Sequence, residues 1–144
     1  MEYSREIRIR CPADRVFAFM DDVDREPEWQ PNLLEASKAP PGPTAVGTRK
    51  SYVSSFLGKR IRNTYVTRVF DPNRRIVYET TGDSVLKGTI EIRFEEREAE
   101  TLVSMAFRGS VTGPLRFVPS GMLEKASMSE LEATLRRLKA KLEG

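Results

Sequence analysis

The side chains of this sequence that could take part in chemistry are mainly tyrosines, arginines and carboxylates. The chain contains no histidine and only one cysteine, Cys11. Without histidine, a Ser-His-Asp or Cys-His arrangement cannot be built, and a transition-metal site would need carboxylates alone. Classical hydrolase and zinc chemistry are therefore excluded. A single cysteine cannot form an internal disulfide, which fits a reducing compartment.

The sequence also lacks the glycine-rich motifs that hold phosphates, G-x-G-x-x-G and G-x-x-x-x-G-K-[ST]. The 24 Lys and Arg against 21 Asp and Glu give a formal charge of +3, without a concentrated tail of one sign. The basic residues of the middle strands and the last helix alternate with apolar ones, which indicates a solvated face. A second interpretation is a docking surface for an acidic partner or, transiently, for an anionic membrane. We expect no cofactor, no metal and no nucleic-acid partner.

One carboxylate next to a tyrosine invites a catalytic interpretation. Glu79 follows Tyr78 and could act as a base in enolisation or loss of water. Neighbouring residues on a strand point to opposite faces, so Glu79 faces outward if Tyr78 faces the interior. The sequence therefore identifies no catalytic residue, and whether the protein is an enzyme stays open.

The elements that must position these side chains begin with a strand and two short helices. Residues 3–10 alternate between apolar and polar, which is typical of a half-buried strand. Helical spacing predicts a helix over residues 13–21, directly after Pro12. The acidic run 21–24 can cap a second short helix that runs to Trp29. A surface loop is predicted at residues 38–43, which contain three prolines.

The rest of the chain predicts a strand meander and one long helix. The six further strands are expected at residues 33–37, 47–56, 60–70, 74–81, 86–94 and 101–107, the last two separated by a charged linker at 95–100. For strand 60–70 the sequence leaves two possible inner faces, one that contains Tyr65 and one that contains Phe70. Apolar residues from Met128 to Leu142, spaced by three and four, predict an amphipathic helix of roughly 22 residues after a cap at Ser120. Its length of about 33 Å requires it to lie across the sheet.

This order of elements over the whole chain resembles the helix-grip fold of START-related lipid-transfer domains and birch-pollen-allergen-type proteins. The residues that carry the resemblance are Cys11-Pro12-Ala13-Asp14-Arg15-Val16-Phe17, Trp29-Gln30-Pro31, Val46-Gly47-Thr48, Asp71-Pro72 and Leu138-Lys139-Ala140-Lys141-Leu142-Glu143. Together they look like the SRPBCC superfamily, in particular its polyketide cyclase/dehydrase-like branch. The resemblance implies one α+β domain over residues 1–144, with a curved antiparallel sheet of about seven strands wrapped around the C-terminal helix.

A curved sheet cannot contact one helix across its full width, so a ligand cavity is expected between them. Trp29 is placed at the pocket mouth, and the alternative is that it anchors the two short helices on the sheet. The residues expected to line the cavity are mostly apolar or amphipathic, namely Tyr52, Phe56, Tyr65, Tyr78, Ile90, Met105, Phe107, Phe117, Met122 and Met128. Buried tyrosine hydroxyls need partners, which a ligand oxygen could supply.

Three functions follow from these expectations. The first is binding or transport of a hydrophobic small molecule, such as a lipid, an isoprenoid or a polyketide-like compound. The second is a polyketide cyclase or dehydratase. The third is a protein-interaction module such as a toxin–antitoxin component, because some small bacterial members of the superfamily resemble this chain. No signal peptide or stretch of about 18 apolar residues is present, so we expect a soluble cytoplasmic protein, either a monomer or a homodimer.

Overall fold

The N-terminal part of the chain forms a strand and two short helical segments, as predicted. The computed structural model describes all residues, 1–144. Strand β1 is Glu2–Ile9, and exposed and half-buried residues alternate along it. Helix α1 is Ala13–Asp21. The second short helix is a 3-10 helix, Val23–Glu28, and the side chain of Asp22 caps it by accepting a hydrogen bond from its second residue.

Seven antiparallel strands form a single sheet in the order β1-β7-β6-β5-β4-β3-β2. Strands β2 to β7 form a meander in which each strand pairs with the next, and β1 pairs with β7. Their bounds are β2 Leu33–Ala39, β3 Arg49–Phe56, β4 Lys59–Asp71, β5 Arg75–Thr80, β6 Leu86–Arg97 and β7 Glu100–Val111. The α+β architecture with seven strands is confirmed.

The charged linker predicted at residues 95–100 is wrong. Strand β6 continues to Arg97 and β7 starts at Glu100, so only two residues form the turn. Glu98 and Ala99 have φ angles of 50° and 68°, and positive φ at both central residues is the geometry of a tight hairpin turn that matches strand twist. The sequence shows no alternation of apolar and polar residues here, because both faces of the strand are exposed at this end of the hairpin and carry charged side chains.

Strand β4 contains an irregularity that periodicity could not locate. Its register with β5 shifts at residues 67–69, and a bulge of this kind changes which face the following side chains occupy. Tyr65 before the shift lines the interior. Phe70 after it also points inward and packs on Phe17, with ring centroids 5.4 Å apart. Each of the two face assignments left open by the sequence is therefore correct for one part of the strand.

Helix α2, Ser120–Glu143, packs against the inner side of the sheet, mainly along β1. Leu135 and Leu138 are buried in the main core together with residues of α1, and full burial of one leucine contributes roughly 1.5–3 kcal/mol. The predicted cap at Ser120 is wrong, because Ser120 is the first helical residue and the cap position is Pro119, which makes no side-chain cap hydrogen bond. Neither α-helix combines the length and apolar character needed to cross a membrane.

Candidate functional site

A cavity of about 200 Å³ lies between the inner face of the sheet and α2. Of the 25 residues that line it, 18 are hydrophobic, so its surface is suited to an apolar occupant. An engineered apolar cavity of about 150 Å³ in another protein binds benzene. The cavity of this protein is therefore large enough for a small aromatic or similarly sized molecule.

The structure brings eight of the eleven residues predicted at the site to the cavity wall. Seven of them lie on strands and share one face, because strand neighbours across the sheet point to the same side. For example, Tyr78 lies opposite Ile90, which lies opposite Phe107. The eight are Trp29, Tyr52, Phe56, Tyr65, Tyr78, Ile90, Met105 and Phe107. Contact of these residues with a ligand stays a prediction.

The prediction that Phe117, Met122 and Met128 line the cavity is wrong. Phe117 is 78% exposed and Met122 is 57% exposed, whereas the nearby Leu115 and Leu123 are buried on the wall. Met128 is half-buried on α2 but does not belong to the stripe of that helix that lines the cavity. Successive helical residues are about 100° apart, and Met122 and Met128, each next to a wall residue on α2, point away from the cavity.

Three tyrosines form a row across strands β3, β4 and β5 of the wall. The ring centroids of Tyr52 and Tyr65 are 5.6 Å apart, and those of Tyr65 and Tyr78 are 6.2 Å apart. Burial raises the pKa of Tyr78 to about 12 and that of Tyr65 further still. The Tyr52 hydroxyl donates to Glu26 Oε1 at 2.9 Å, and the Tyr78 hydroxyl accepts from Lys50 Nζ at 3.2 Å. Two of the three hydroxyls thus already have protein partners.

Lys50, which the sequence analysis missed, is fully buried on β3 next to this row. Its Nζ donates to Oδ1 of Asp21 at 3.0 Å, to the carbonyl oxygen of Asp21 at 3.2 Å and to Tyr78. Burial alone would lower the pKa of Lys50, but Tyr78, Glu26 and Asp21 outweigh it and raise the pKa. The signal was available in the sequence, because Lys50 and Tyr52 are two positions apart on one strand and must share a face.

Glu26 is the second missed residue, and it lies on the cavity wall in the 3-10 helix. Only 4% of it is exposed, and burial raises its pKa to about 8, although Lys50 and the hydrogen bond from Tyr52 oppose the shift. Its Oε2 is buried without a hydrogen-bond partner. No periodicity of this short segment singles out Glu26, so nothing in the sequence pointed to it.

Trp29 completes this part of the wall, and the prediction that it lies at the pocket mouth is wrong. Only 2% of Trp29 is exposed, and its Nε1 is buried without a partner. Trp29 is therefore a wall residue.

The opposite wall also contains a carboxyl group, Glu130 on α2. Burial raises its pKa above the usual value, and burial raises the pKa of nearby Tyr3 on β1 to about 12. No lysine or arginine belongs to the wall, whose ionisable groups are carboxyls and tyrosines. Nowhere in the chain do three or more His, Cys, Asp or Glu side chains form a group that could hold a metal ion.

Several solved structures share this fold. TTHA0849 from Thermus thermophilus has a TM-score of 0.84 at 16% identity, covering 99% of this chain and 97% of that one. A START superfamily protein from Mycobacterium smegmatis has a TM-score of 0.80 at 16% identity, covering 99% and 97%. The Zhui aromatase/cyclase from a Streptomyces species has a TM-score of 0.77 at 17% identity, covering 99% and 93%. At these identities the similarity establishes the fold alone.

No curated protein matches the chain by sequence. A family model does match, over residues 1–143, and its description is polyketide cyclase / dehydrase and lipid transport. This match confirms the resemblance found in the sequence. Because it extends over nearly the whole chain, the protein belongs to the polyketide cyclase / dehydrase and lipid transport family.

Proposed function

We propose that this protein binds an apolar small molecule in the cavity between the sheet and α2, as a carrier. The observation that supports this function is the cavity of about 200 Å³ that the protein's own side chains do not fill, with its mainly hydrophobic wall. Protein interiors are normally close-packed, and an unfilled apolar space forfeits dispersion contacts. A bound apolar molecule would restore those contacts.

The test uses ethylbenzene, an uncharged hydrocarbon, as the probe. Trp29 is the only tryptophan and lies on the wall, so its fluorescence should change as ethylbenzene binds. In the variant Ile90→Phe the larger side chain should occupy part of the cavity and lower the affinity about tenfold, or about 1.4 kcal/mol. Thr89→Phe is the matched control, because Thr89 precedes Ile90 on β6 and faces the other side.

Two results would contradict the carrier function. One is that wild-type protein does not bind ethylbenzene, which native mass spectrometry can check independently. The other is that Ile90→Phe and Thr89→Phe bind it equally well. Either result would mean that the cavity is not a binding site for apolar molecules.

A second candidate, a cyclase or dehydratase, is favoured by Glu26 alone. A buried carboxyl group whose pKa is near neutral pH can donate or accept a proton during enolisation and loss of water. Glu26 has this property and lies on the cavity wall. If the protein is such an enzyme, Glu26→Gln should abolish turnover of a poly-β-ketone substrate while binding persists. Equal turnover by the variant would remove this candidate.

A further inference from the structure

Two buried polar atoms of the cavity wall lack a hydrogen-bond partner in the protein. They are Oε2 of Glu26 and Nε1 of Trp29, and both residues line the cavity and are at least 96% buried. Buried polar groups are nearly always paired, and an unpaired one costs about 1–3 kcal/mol. Because both side chains belong to the wall, a ligand's polar group that packs against them has an unpaired atom of each side chain nearby as a partner.

Both atoms are suited to donate hydrogen bonds. Indole Nε1 is a donor only. The other carboxyl oxygen of Glu26, Oε1, already accepts from Tyr52, and burial keeps the carboxyl protonated at neutral pH, with a pKa of about 8. The proton is then available on Oε2. A protonated Glu26 no longer stabilises the charge of Lys50, but Asp21 remains the direct anionic partner of Lys50.

The wall offers no positive charge to an anion. It contains no lysine or arginine, and Lys50, which is not part of the wall, uses its three hydrogens on Asp21 and Tyr78. Glu130 on the opposite side is a further carboxyl group. An ionised carboxylate brought into this space would lose its hydration without gaining a cation, which is strongly unfavourable.

We propose that the cavity selects an uncharged apolar molecule that carries a carbonyl group, whose oxygen accepts hydrogen bonds from Trp29 Nε1 and Glu26 Oε2. This inference rests on the proposed binding function and narrows the ligand class within it. It separates neutral ketones from fatty-acid anions, which an apolar cavity alone would not do.

Three probes with the same ring test the selection. Acetophenone carries the carbonyl group, benzoate replaces its methyl group with a charged oxygen, and ethylbenzene has no oxygen. At about pH 7, calorimetry should show that acetophenone binds wild-type protein at least about tenfold more tightly than benzoate. If benzoate binds as tightly as acetophenone, the selection is absent and the inference fails.

Variants then locate the carbonyl oxygen. Trp29→Phe keeps an aromatic ring but loses the N–H group. It should therefore lower the affinity for acetophenone about tenfold and change the affinity for ethylbenzene less than about threefold. Glu26→Met should also weaken acetophenone, whereas Glu26→Gln, which retains a donor, should not. Equal weakening of both probes by Trp29→Phe would overturn the inference. Loss of ethylbenzene binding in the wild type would instead overturn the carrier function on which it rests.

Discussion

Lys50 and Glu26 are both buried ionisable residues, but they differ in how many of their polar atoms have hydrogen-bond partners in the protein. Lys50 on β3 is wholly buried, and its ammonium group makes hydrogen bonds to two atoms of Asp21 and to Tyr78. Glu26 is almost as deeply buried, yet only one of its two carboxyl oxygens has a partner, Tyr52. The protein therefore supplies partners for the whole ammonium group of Lys50 but for only half of the carboxyl group of Glu26.

This difference separates a structural role from a functional one. A buried charge whose donors are all used has no capacity left for a ligand, so removing it should damage the fold. A half-satisfied carboxyl group on a cavity wall retains an uncompensated desolvation cost, which a ligand can relieve. Lys50 does not belong to the wall, whereas Glu26 does, and this agrees with the distinction.

The largest expected effect on stability comes from removing the ammonium group of Lys50, which is hydrogen-bonded to Asp21 and Tyr78. Lys50→Met leaves Asp21 and Tyr78 without their partner, and removal of one member of a buried pair typically costs about 3–5 kcal/mol. Because the side chain of Asp21 is 19% exposed, water can replace part of the loss, and we expect a fall of about 3 kcal/mol in the free energy of unfolding. Urea denaturation measures it, with exposed Lys59→Met as the control. A loss below about 1 kcal/mol would show that Lys50 is not needed for stability.

The next effect is a pH dependence due to Glu26. Its pKa is raised from 4.5 to about 8 on folding, so between these values the folded protein holds a proton that the unfolded chain has released. The stability contributed by this proton is fully present below about pH 4.5 and falls by about 1.4 kcal/mol per pH unit as pH rises toward 8.

Glu26→Gln has no such proton to lose and keeps an acceptor for Tyr52. Its free energy of unfolding relative to wild type should therefore rise by roughly 2 kcal/mol between about pH 6 and pH 7.5. Other titrating groups are common to both proteins and cancel in the difference. Parallel stability curves over this range would mean that the pKa of Glu26 is not raised.

The smallest expected effect on stability comes from an exposed ion pair, which can be compared with the buried pair of Lys50 and Asp21. Arg68 and Glu79 lie 3.3 Å apart, similar to the 3.0 Å between Lys50 and Asp21, but both side chains are about half exposed. Solvent screens such a pair, so Arg68→Ala should change the free energy of unfolding by less than about 0.5 kcal/mol. A cost approaching that of Lys50→Met would show that separation, and not burial, sets the contribution of ion pairs in this protein.

Much of the fold could be predicted from the sequence because local patterns specify it. Alternation in β1 and the apolar spacing of α2 indicated these elements close to their observed bounds. The same alternation placed Tyr52 and Tyr78 on the inner face and Glu79 on the outer one, where it pairs with Arg68. Predictions were wrong where apolar character was taken for burial, as with the exposed Phe117.

The positions of Lys50, Glu26 and Trp29 could mostly not be predicted from the sequence. Lys50 could have been placed inside by its shared parity with Tyr52, but its partner Asp21 is 29 residues away and on another element. Glu26 and Trp29 lie in and just after a 3-10 helix, where neither the period of two nor that of 3.6 assigns a direction.

The sequence by itself determined the order of strands and helices, the inner face of most strands and the absence of histidine-based chemistry, because each depends on residue type or short-range spacing. Only the tertiary structure decided that Lys50 is satisfied, that Glu26 and Trp29 keep one unpaired atom each, and that no cation lines the cavity. These properties depend on contacts between segments far apart in the chain, and burial changes the behaviour of a group only once those segments meet.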